Sequence, residues 1–317
     1  MKVCLVCSHG GHLTEMLYLL EVFEREEIFF VTYDSPRTQN LDYKKYLFPN
    51  FGERPLELLK NLHKIIKIIV KEKPDIIFSN GAEIAIPFFY LGKLFGKKTI
   101  FIECYTRINN PTVTGTFVYP VSDLFFVLWP ELLNKYRKKA QYIGGIFEVS
   151  DKPLKLSENE KENMIFVTVG MHSAGFDRLI KKMDEIAEKT DQQIIMQIGD
   201  TDYTPKNAEY FKFKNYEEIK GLINKARLVV CQGAMTAIDS LILKTPVLIV
   251  PRSKEYKEVI DDHQLVFSKK LEKMGLVDVV GDINDLEKII NIKNQKEVKV
   301  LIKNRSLIDK LKIYVKA

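Results

Sequence analysis

Two short segments of this chain combine glycine with side chains that can move a proton or hold an anion. The first, Ser8-His9-Gly10-Gly11-His12, stops a β-rich apolar run at Val3–Cys7. Gly10 and Gly11 leave room for a bulky diphosphate ligand, and a helix start supplies N–H groups to it. His12 stands at that helix start and is the best-placed general base, because an imidazole changes charge near neutral pH. His9 reads as loop structure. Glu103, at the end of the run Thr99–Ile102, is the second candidate base or the group that orients His12, with a surface carboxylate as the alternative. The second segment is Gln232-Gly233-Ala234-Met235-Thr236, again between an apolar run (Leu228–Cys231) and a helical pattern. Its small residues let backbone N–H groups and a helix dipole approach a phosphate. Asp239 follows Thr236 by three positions, on the same face one turn deeper, and suits ribose hydroxyls. Arg252 and the polar run Asp262-His263-Gln264 offer hydrogen bonds to further hydroxyls.

The elements that hold these segments alternate between strand and helix patterns. Val3–Cys7 leads to Leu13–Phe23, apolar at helical spacing through Leu13, Met16, Leu17 and Leu20. Asp75–Phe78 reads as a buried strand ending in Asn80-Gly81-Ala82, followed by a helical segment and the strand Thr99–Ile102. The second half repeats this order: strand Met164–Val169 into Gly170-Met171-His172-Ser173-Ala174-Gly175, helix Phe176–Ala187, strand Leu228–Cys231, a helix to Leu243, and strand Val247–Val250. Such alternation predicts parallel pairing in open α/β sheets, with ligands beyond the carboxyl ends of the strands. Two Rossmann-like domains facing across a cleft are expected: 1–147, a polar linker 148–163, 164–292, and a basic helical segment 293–317 that packs back on the first half.

Bulk properties narrow the class. The chain has 317 residues, 46% hydrophobic and 28% charged, which fits two globular domains and excludes a disordered chain. A net charge of +6 suits phosphates and anionic lipid alike, and no basic surface interleaved with aromatics points to nucleic acid. Four scattered cysteines make no disulfide framework, and Cys4 and Cys7 read as small core residues of the first strand. No leader and no apolar run near the ~18 residues of a membrane span are expected. Asp200-Thr201-Asp202 lies in a turn composition, and we expect no metal there.

Taken together the motifs resemble known families. Cys231–Asp239, Pro246–Pro251 and His263-Gln264 are similar to the C-terminal donor domain of glycosyltransferase family 28. Val167–Gly170 and Phe176–Ile180 resemble the donor-binding subunit of the eukaryotic enzyme that adds the second N-acetylglucosamine to dolichol-diphosphate-N-acetylglucosamine. Gly10–Glu15, Asn80–Ala82, Ile102-Glu103, Arg107, Pro111–Gly115, Trp129–Glu131 and Tyr142–Gly145 resemble its membrane-recruiting partner subunit. The order of halves is also that of the bacterial N-acetylglucosaminyltransferase of peptidoglycan precursors.

The resemblance implies a GT-B fold and an inverting transfer from a UDP-sugar to a polyprenyl-diphosphate-linked sugar, without cofactor. It implies that Gly233, Ala234, Met235, Thr236 and Asp239 hold UDP, that His263 and Gln264 meet the donor sugar, and that Gly170 and His172 line the diphosphate. Gly10, Gly11, Arg107 and Thr114 fall on the acceptor side. The family's ribose-binding position is often Glu and here is Asp239. Galactose transfer in capsule or exopolysaccharide assembly is the alternative, and a non-catalytic UDP-binding scaffold the next. A peripheral site on the cytoplasmic membrane face is expected. Lys60, Lys64, Lys67 and Lys71 would meet anionic lipid, unless Leu58–Lys71 is simply a helix covering the sheet. A fused chain needs no separate partner, and a homodimer stays open.

Overall fold

The structure is a computed structural model and describes residues 1–52, 55–136, 138–150, 161–170, 175–256, 258–259, 263–293 and 299–316. Two compact units are present, Met1–Ile146 with Lys303–Ala317, and Phe147–Ile302.

The first unit is built on seven strands: β1 (Lys2–Val6), β2 (Glu27–Tyr33), β3 (Lys45–Phe48), β4 (Ile76–Ser79), β5 (Lys98–Ile102), β6 (Leu124–Val127) and β7 (Ala140–Tyr142). Their order is β3-β2-β1-β4-β5-β6-β7, and all the pairings are parallel. β1 therefore sits between β2 and β4, with Cys4 opposite Phe29 on one side and Ile77 on the other. Helices cover both faces of such a sheet, which is why β1 and β4 read as continuous apolar runs rather than alternating ones. Cys4, Phe29, Ile77, Phe101 and Phe125 share one core with Ile65, Ile69 and Phe88 from covering helices. The Phe101 and Phe125 rings stack at 5.1 Å, so truncating Phe101 to Ala would cost roughly 3–5 kcal/mol. Cys4 and Cys7 are buried and unpaired, as their small-core reading expects, and burial pushes the Cys7 thiol to about 12.

The segment expected as one helix at 58–71 is two, Pro55–Lys60 and Leu62–Glu72. Asn61 interrupts it: its carboxamide donates to the Glu57 carbonyl at 2.8 Å, competing with the backbone ladder. Ile65, Ile68 and Ile69 are buried, as a covering helix requires, whereas Leu59 and Ile66 are 58% and 38% exposed. Lys64 also leaves the expected stripe, donating to the Leu47 carbonyl at 2.7 Å over the Phe48 ring.

The chain's end belongs to the first unit. Leu307, Ile308, Leu311 and Val315 are buried along helix Arg305–Lys316, the spacing of one helical face. Tyr314 lies 5.0 Å from Phe126, and its carbonyl accepts from Lys98 at 2.8 Å.

In the second unit, β8 (Phe147–Val149) pairs with β15 (Leu301–Lys303), so the first residues of the expected linker are a strand anchored by buried Phe147. Residues 151–160 of that linker lie outside the described residues. β9 (Glu162–Thr168), β10 (Gln193–Gln197), β11 (Glu209–Phe211), β12 (Ala226–Cys231), β13 (Val247–Ile249) and β14 (Asp278–Val279) form a six-stranded parallel sheet. Its order, β11-β10-β9-β12-β13-β14, places β9 and β12 side by side at the centre. Helix Asp177–Ala187 buries Leu179, Ile180, Met183 and Ile186 against it. Both sheets are the open, doubly wound kind that the alternating pattern predicts.

Candidate active site

In the first unit the chemistry gathers at the carboxyl ends of β1, β4 and β5. After β1 the chain turns at Gly10 into helix Gly11–Leu19. A Cβ on Gly10 would meet no atom within 4 Å, so no protein packing fills that side of the turn. His12, on the first turn of the helix, is partly exposed, and its Nδ1 lies 3.1 Å from Ser8 Oγ. The imidazole lies over Gly81, where a Cβ would come within 2.7 Å of Cε1 and Nε2. Gly81 also has φ +138°, so both space and backbone demand glycine there. Asn80 Nδ2 donates to the His12 carbonyl at 2.8 Å and to Glu15 Oε2 at 3.2 Å. Cys104 Sγ donates to Glu15 Oε1 at 3.2 Å. Glu15 is fully buried, and burial pushes its carboxyl well above the usual range, with Cys104 adding to the shift and His12 opposing it.

Arg37 closes the other side of the turn. It donates through Nη1 to the Gly10 carbonyl at 3.2 Å and through Nη2 to Thr14 Oγ1 at 2.9 Å, bringing a guanidinium to the glycines.

Glu103 is placed differently from expectation. It is completely buried, which removes the surface-carboxylate reading. Oε1 accepts from Thr112 Oγ at 2.7 Å and from the Cys104 N–H at 3.1 Å, and Oε2 accepts from Tyr136. Burial, with the neighbouring Glu103 charge, pushes the Tyr136 phenol up. Gly115 fits only because it lacks a Cβ, which would lie 2.4 Å from Glu103 Oε2. Glu103 thus clamps the segment after β5 that carries Arg107 and the buried Thr114. The groups held around His12 are Ser8, Asn80, Gly81 and Glu15. Glu15 closes the Gly10–Glu15 motif in sequence, a carboxylate three residues after His12 and one turn along the same helix face, but no role was read for it there.

In the second unit the turns follow β9 and β12. Gly170 has φ +72°, and a Cβ there would be 2.4 Å from Gln232 Nε2. Gly233 has φ +105° and caps helix Ala234–Ile242, its missing Cβ making room for Ser268 Oγ. Ala234, the first residue of that helix, also has a positive φ, +55°, which is strained for a residue with a side chain. Met235 is buried and Thr236 partly exposed. Asp239 is buried, with Tyr216 donating to Oδ1 at 3.0 Å, so a ribose hydroxyl would share that carboxylate.

Helix His263–Lys273 brings its first turn beside the glycine turn: Ser268 Oγ, which packs on Gly233, donates to the Gln264 carbonyl at 2.7 Å. Among the described residues, two buried amide oxygens here, Gln232 Oε1 and Gln264 Oε1, have no hydrogen-bond donor. Arg252 is wholly buried, and its Nη2 donates to the Val169 carbonyl at 3.2 Å, just before the Gly170 turn. Thr201, in the middle of Asp200-Thr201-Asp202, accepts the Phe176 N–H at 2.9 Å and so braces the start of a helix. His172 and Asp262 lie outside the described residues.

Known proteins resemble this chain in sequence and fold. Residues 164–309 match the glycosyltransferase family 28 C-terminal domain, and residues 50–146 match the family "oligosaccharide biosynthesis protein Alg14 like", a range that begins after the His12 turn. The chain is 28% identical over 240 residues to a UDP-N-acetylglucosamine–N-acetylmuramyl-(pentapeptide) pyrophosphoryl-undecaprenol N-acetylglucosamine transferase of Oceanobacillus iheyensis, spanning 71% of this chain and 65% of that relative. It is 37% identical over 76 residues to the UDP-N-acetylglucosamine transferase subunit alg14 of Schizosaccharomyces pombe, 22% of this chain and 36% of that protein. Among solved structures, MurG of Acinetobacter baumannii superposes with a TM-score of 0.62 at 14% identity, covering 100% of this chain and 99% of that one. A UDP-GlcNAc 2-epimerase of Methanocaldococcus jannaschii gives 0.70 at 14%, covering 100% of both chains. At such identities the structures establish the fold, which is GT-B. Residues 50–146, in the first unit, are thus similar to the Alg14-like family, and residues 164–309, most of them in the second unit, to the glycosyltransferase family 28 C-terminal domain.

Proposed function

We propose that this chain is an inverting glycosyltransferase that moves N-acetylglucosamine from UDP-N-acetylglucosamine to a polyprenyl- or dolichyl-diphosphate-linked N-acetylglucosamine, forming a β-1,4 bond at the cytoplasmic face of a membrane. One observation carries the reading: a single chain holds a histidine seated in a glycine turn of an Alg14-like unit and a strained Gly233-Ala234 turn heading a helix of a family 28 unit. The relatives' names speak of N-acetylglucosamine transfer, and this favours that sugar over galactose.

In this account Nδ1–H of His12 donates to Ser8 Oγ, which leaves Nε2 basic. Nε2 takes the proton of the acceptor hydroxyl as its oxygen attacks the anomeric carbon, and the bond to UDP breaks with inversion. The acceptor diphosphate lies along Gly10 and Gly11 near Arg37, with Arg107 and Thr114 on the clamped segment beyond. The leaving diphosphate gathers charge against the N–H groups that follow Gly233, near Gly170. Asp239 takes the ribose, and the orphaned Gln264 amide oxygen, with His263, takes sugar hydroxyls. Glu103 acts by fixing the segment after β5 and not as the base.

Among the described residues no helix is long and apolar enough to cross a membrane. The first unit would meet the lipid surface by an exposed stripe of Leu56, Leu59, Ile66 and Val70 edged by Lys60, Lys67 and Lys71. Each lysine near an anionic surface is worth about 1 kcal/mol. Recovery on floated vesicles checks this, and equal recovery for wild type and a Leu59→Glu/Ile66→Glu variant would contradict it.

The activity is tested by offering a panel of UDP-sugars with short-chain polyprenyl-diphosphate-N-acetylglucosamine in the presence of EDTA. Transfer from UDP-N-acetylglucosamine alone supports the reading; transfer from UDP-galactose instead, or from no donor despite UDP binding, overturns it.

A further inference from the structure

We infer that Glu15 is a positioning residue for His12, acting through the Asn80 carboxamide. The inference rests on His12 being the base of the reaction proposed above. Both N–H groups of Asn80 are engaged, one with the His12 carbonyl at 2.8 Å and the other with Glu15 Oε2 at 3.2 Å. Asn80 and Glu15 are each 1% exposed, so water does not replace either bond. Without the Glu15 carboxyl, one Asn80 N–H loses its acceptor and the carboxamide is free to turn, carrying the His12 carbonyl with it. The ring attached to that backbone has little latitude. Ser8 Oγ holds Nδ1 at 3.1 Å, and Gly81 leaves no space for even one added carbon beneath it. A displacement of about 1 Å in a reacting group can cost roughly 100-fold in rate.

Glu15 holds three strand ends together. It faces His12 on its own helix, Asn80 from the end of β4, Cys104 and the Tyr105 N–H from the end of β5, and Cys7 from the end of β1. Among these neighbours burial raises its carboxyl well above the usual range, which favours the neutral acid. A glutamine has the same shape and the same neutrality. Glu15→Gln therefore separates positioning from any acid–base role.

The experiment measures transfer kinetics for wild type, Glu15→Gln, Glu15→Ala, Asn80→Ala and the Glu15→Ala/Asn80→Ala double variant. UDP affinity reports that the second unit is folded, and NMR titration follows the His12 imidazole. Glu15→Gln should keep kcat within about threefold and leave the His12 titration midpoint where it is in wild type. Glu15→Ala and Asn80→Ala should each lose about tenfold or more in kcat with KM for the UDP-sugar unchanged, and the double variant should be no worse than the poorer single one. Loss in Glu15→Gln as deep as in Glu15→Ala, with a lowered His12 midpoint, would overturn the inference by showing an ionised, acid–base role. Wild-type kcat in Glu15→Ala or in Asn80→Ala would overturn it as well. If wild type transfers no sugar at all, the reading of function fails, and the NMR spectra still decide the inference. A His12 ring resonance displaced in Asn80→Ala and unmoved in Glu15→Gln supports it; one unmoved in Asn80→Ala overturns it.

Discussion

Asn80 Nδ2 lies 2.8 Å from the carbonyl oxygen of His12, joining the turn after β4 to the first turn of the helix after β1. The two turns are neighbours because β1 and β4 pair in parallel, with Val6 opposite Ser79. A base far from its support in sequence is thus fixed by sheet order.

The closest fit in this arrangement is between His12 and Gly81. Gly81→Ala would put a carbon 2.7 Å from two imidazole atoms and force a side chain onto φ +138°. We expect kcat to fall by about 100-fold as the ring is displaced, and stability by roughly 1–3 kcal/mol from the backbone strain. UDP affinity, a property of the second unit, should not change. Kinetics with a thermal melt and UDP titration check all three, and a variant with wild-type kcat would show that the ring's position is unimportant.

Ala234 carries the opposite signature, a side chain at φ +55°. Ala234→Gly should relieve a left-handed conformation worth about 1 kcal/mol and raise the melting temperature, while the N–H groups for the diphosphate remain in place. A lower melting temperature, with UDP affinity intact, would show that the Ala234 methyl packs more strongly than its backbone strains.

Acid should loosen the first unit through Glu72. Burial would raise its carboxyl, but hydrogen bonds from Lys2, Lys44 and Tyr46 outweigh that and hold it at about 2 against an ordinary 4.5. The folded value is the lower one, so this group's contribution is complete above pH 4.5 and is lost as pH falls toward 2. Melting temperature against pH should slope more steeply in that window for wild type than for Glu72→Gln. Parallel curves would remove Glu72 as the cause.

The sheets were legible because parallel strands are buried on both faces and stop at glycine turns; Val3–Cys7 and Leu228–Cys231 are each within one or two residues of β1 and β12. The helix break at Asn61 was not, since a single carboxamide reaching back to Glu57 leaves the apolar period unchanged. His12 stood out by its glycines. Glu103 was placed at its strand end but given the wrong surroundings, because sequence does not show that Thr112 and Tyr136 fold over it. Arg37 carried no motif, and Glu15 stood only as the last residue of the Gly10–Glu15 resemblance, with no role of its own. Arg37 reaches Gly10 from the short helix Pro36–Gln39 after β2, and the burial that distinguishes Glu15 from other helical carboxylates does not show in sequence.

The central claim is that His12 is the base of the transfer, and single-turnover transfer by wild type and His12→Ala with UDP-N-acetylglucosamine tests it most directly. The account predicts a loss on the order of 100- to 10,000-fold in the transfer step with the donor dissociation constant unchanged. A variant that transfers at the wild-type rate, or one whose loss lies in donor affinity, would contradict it.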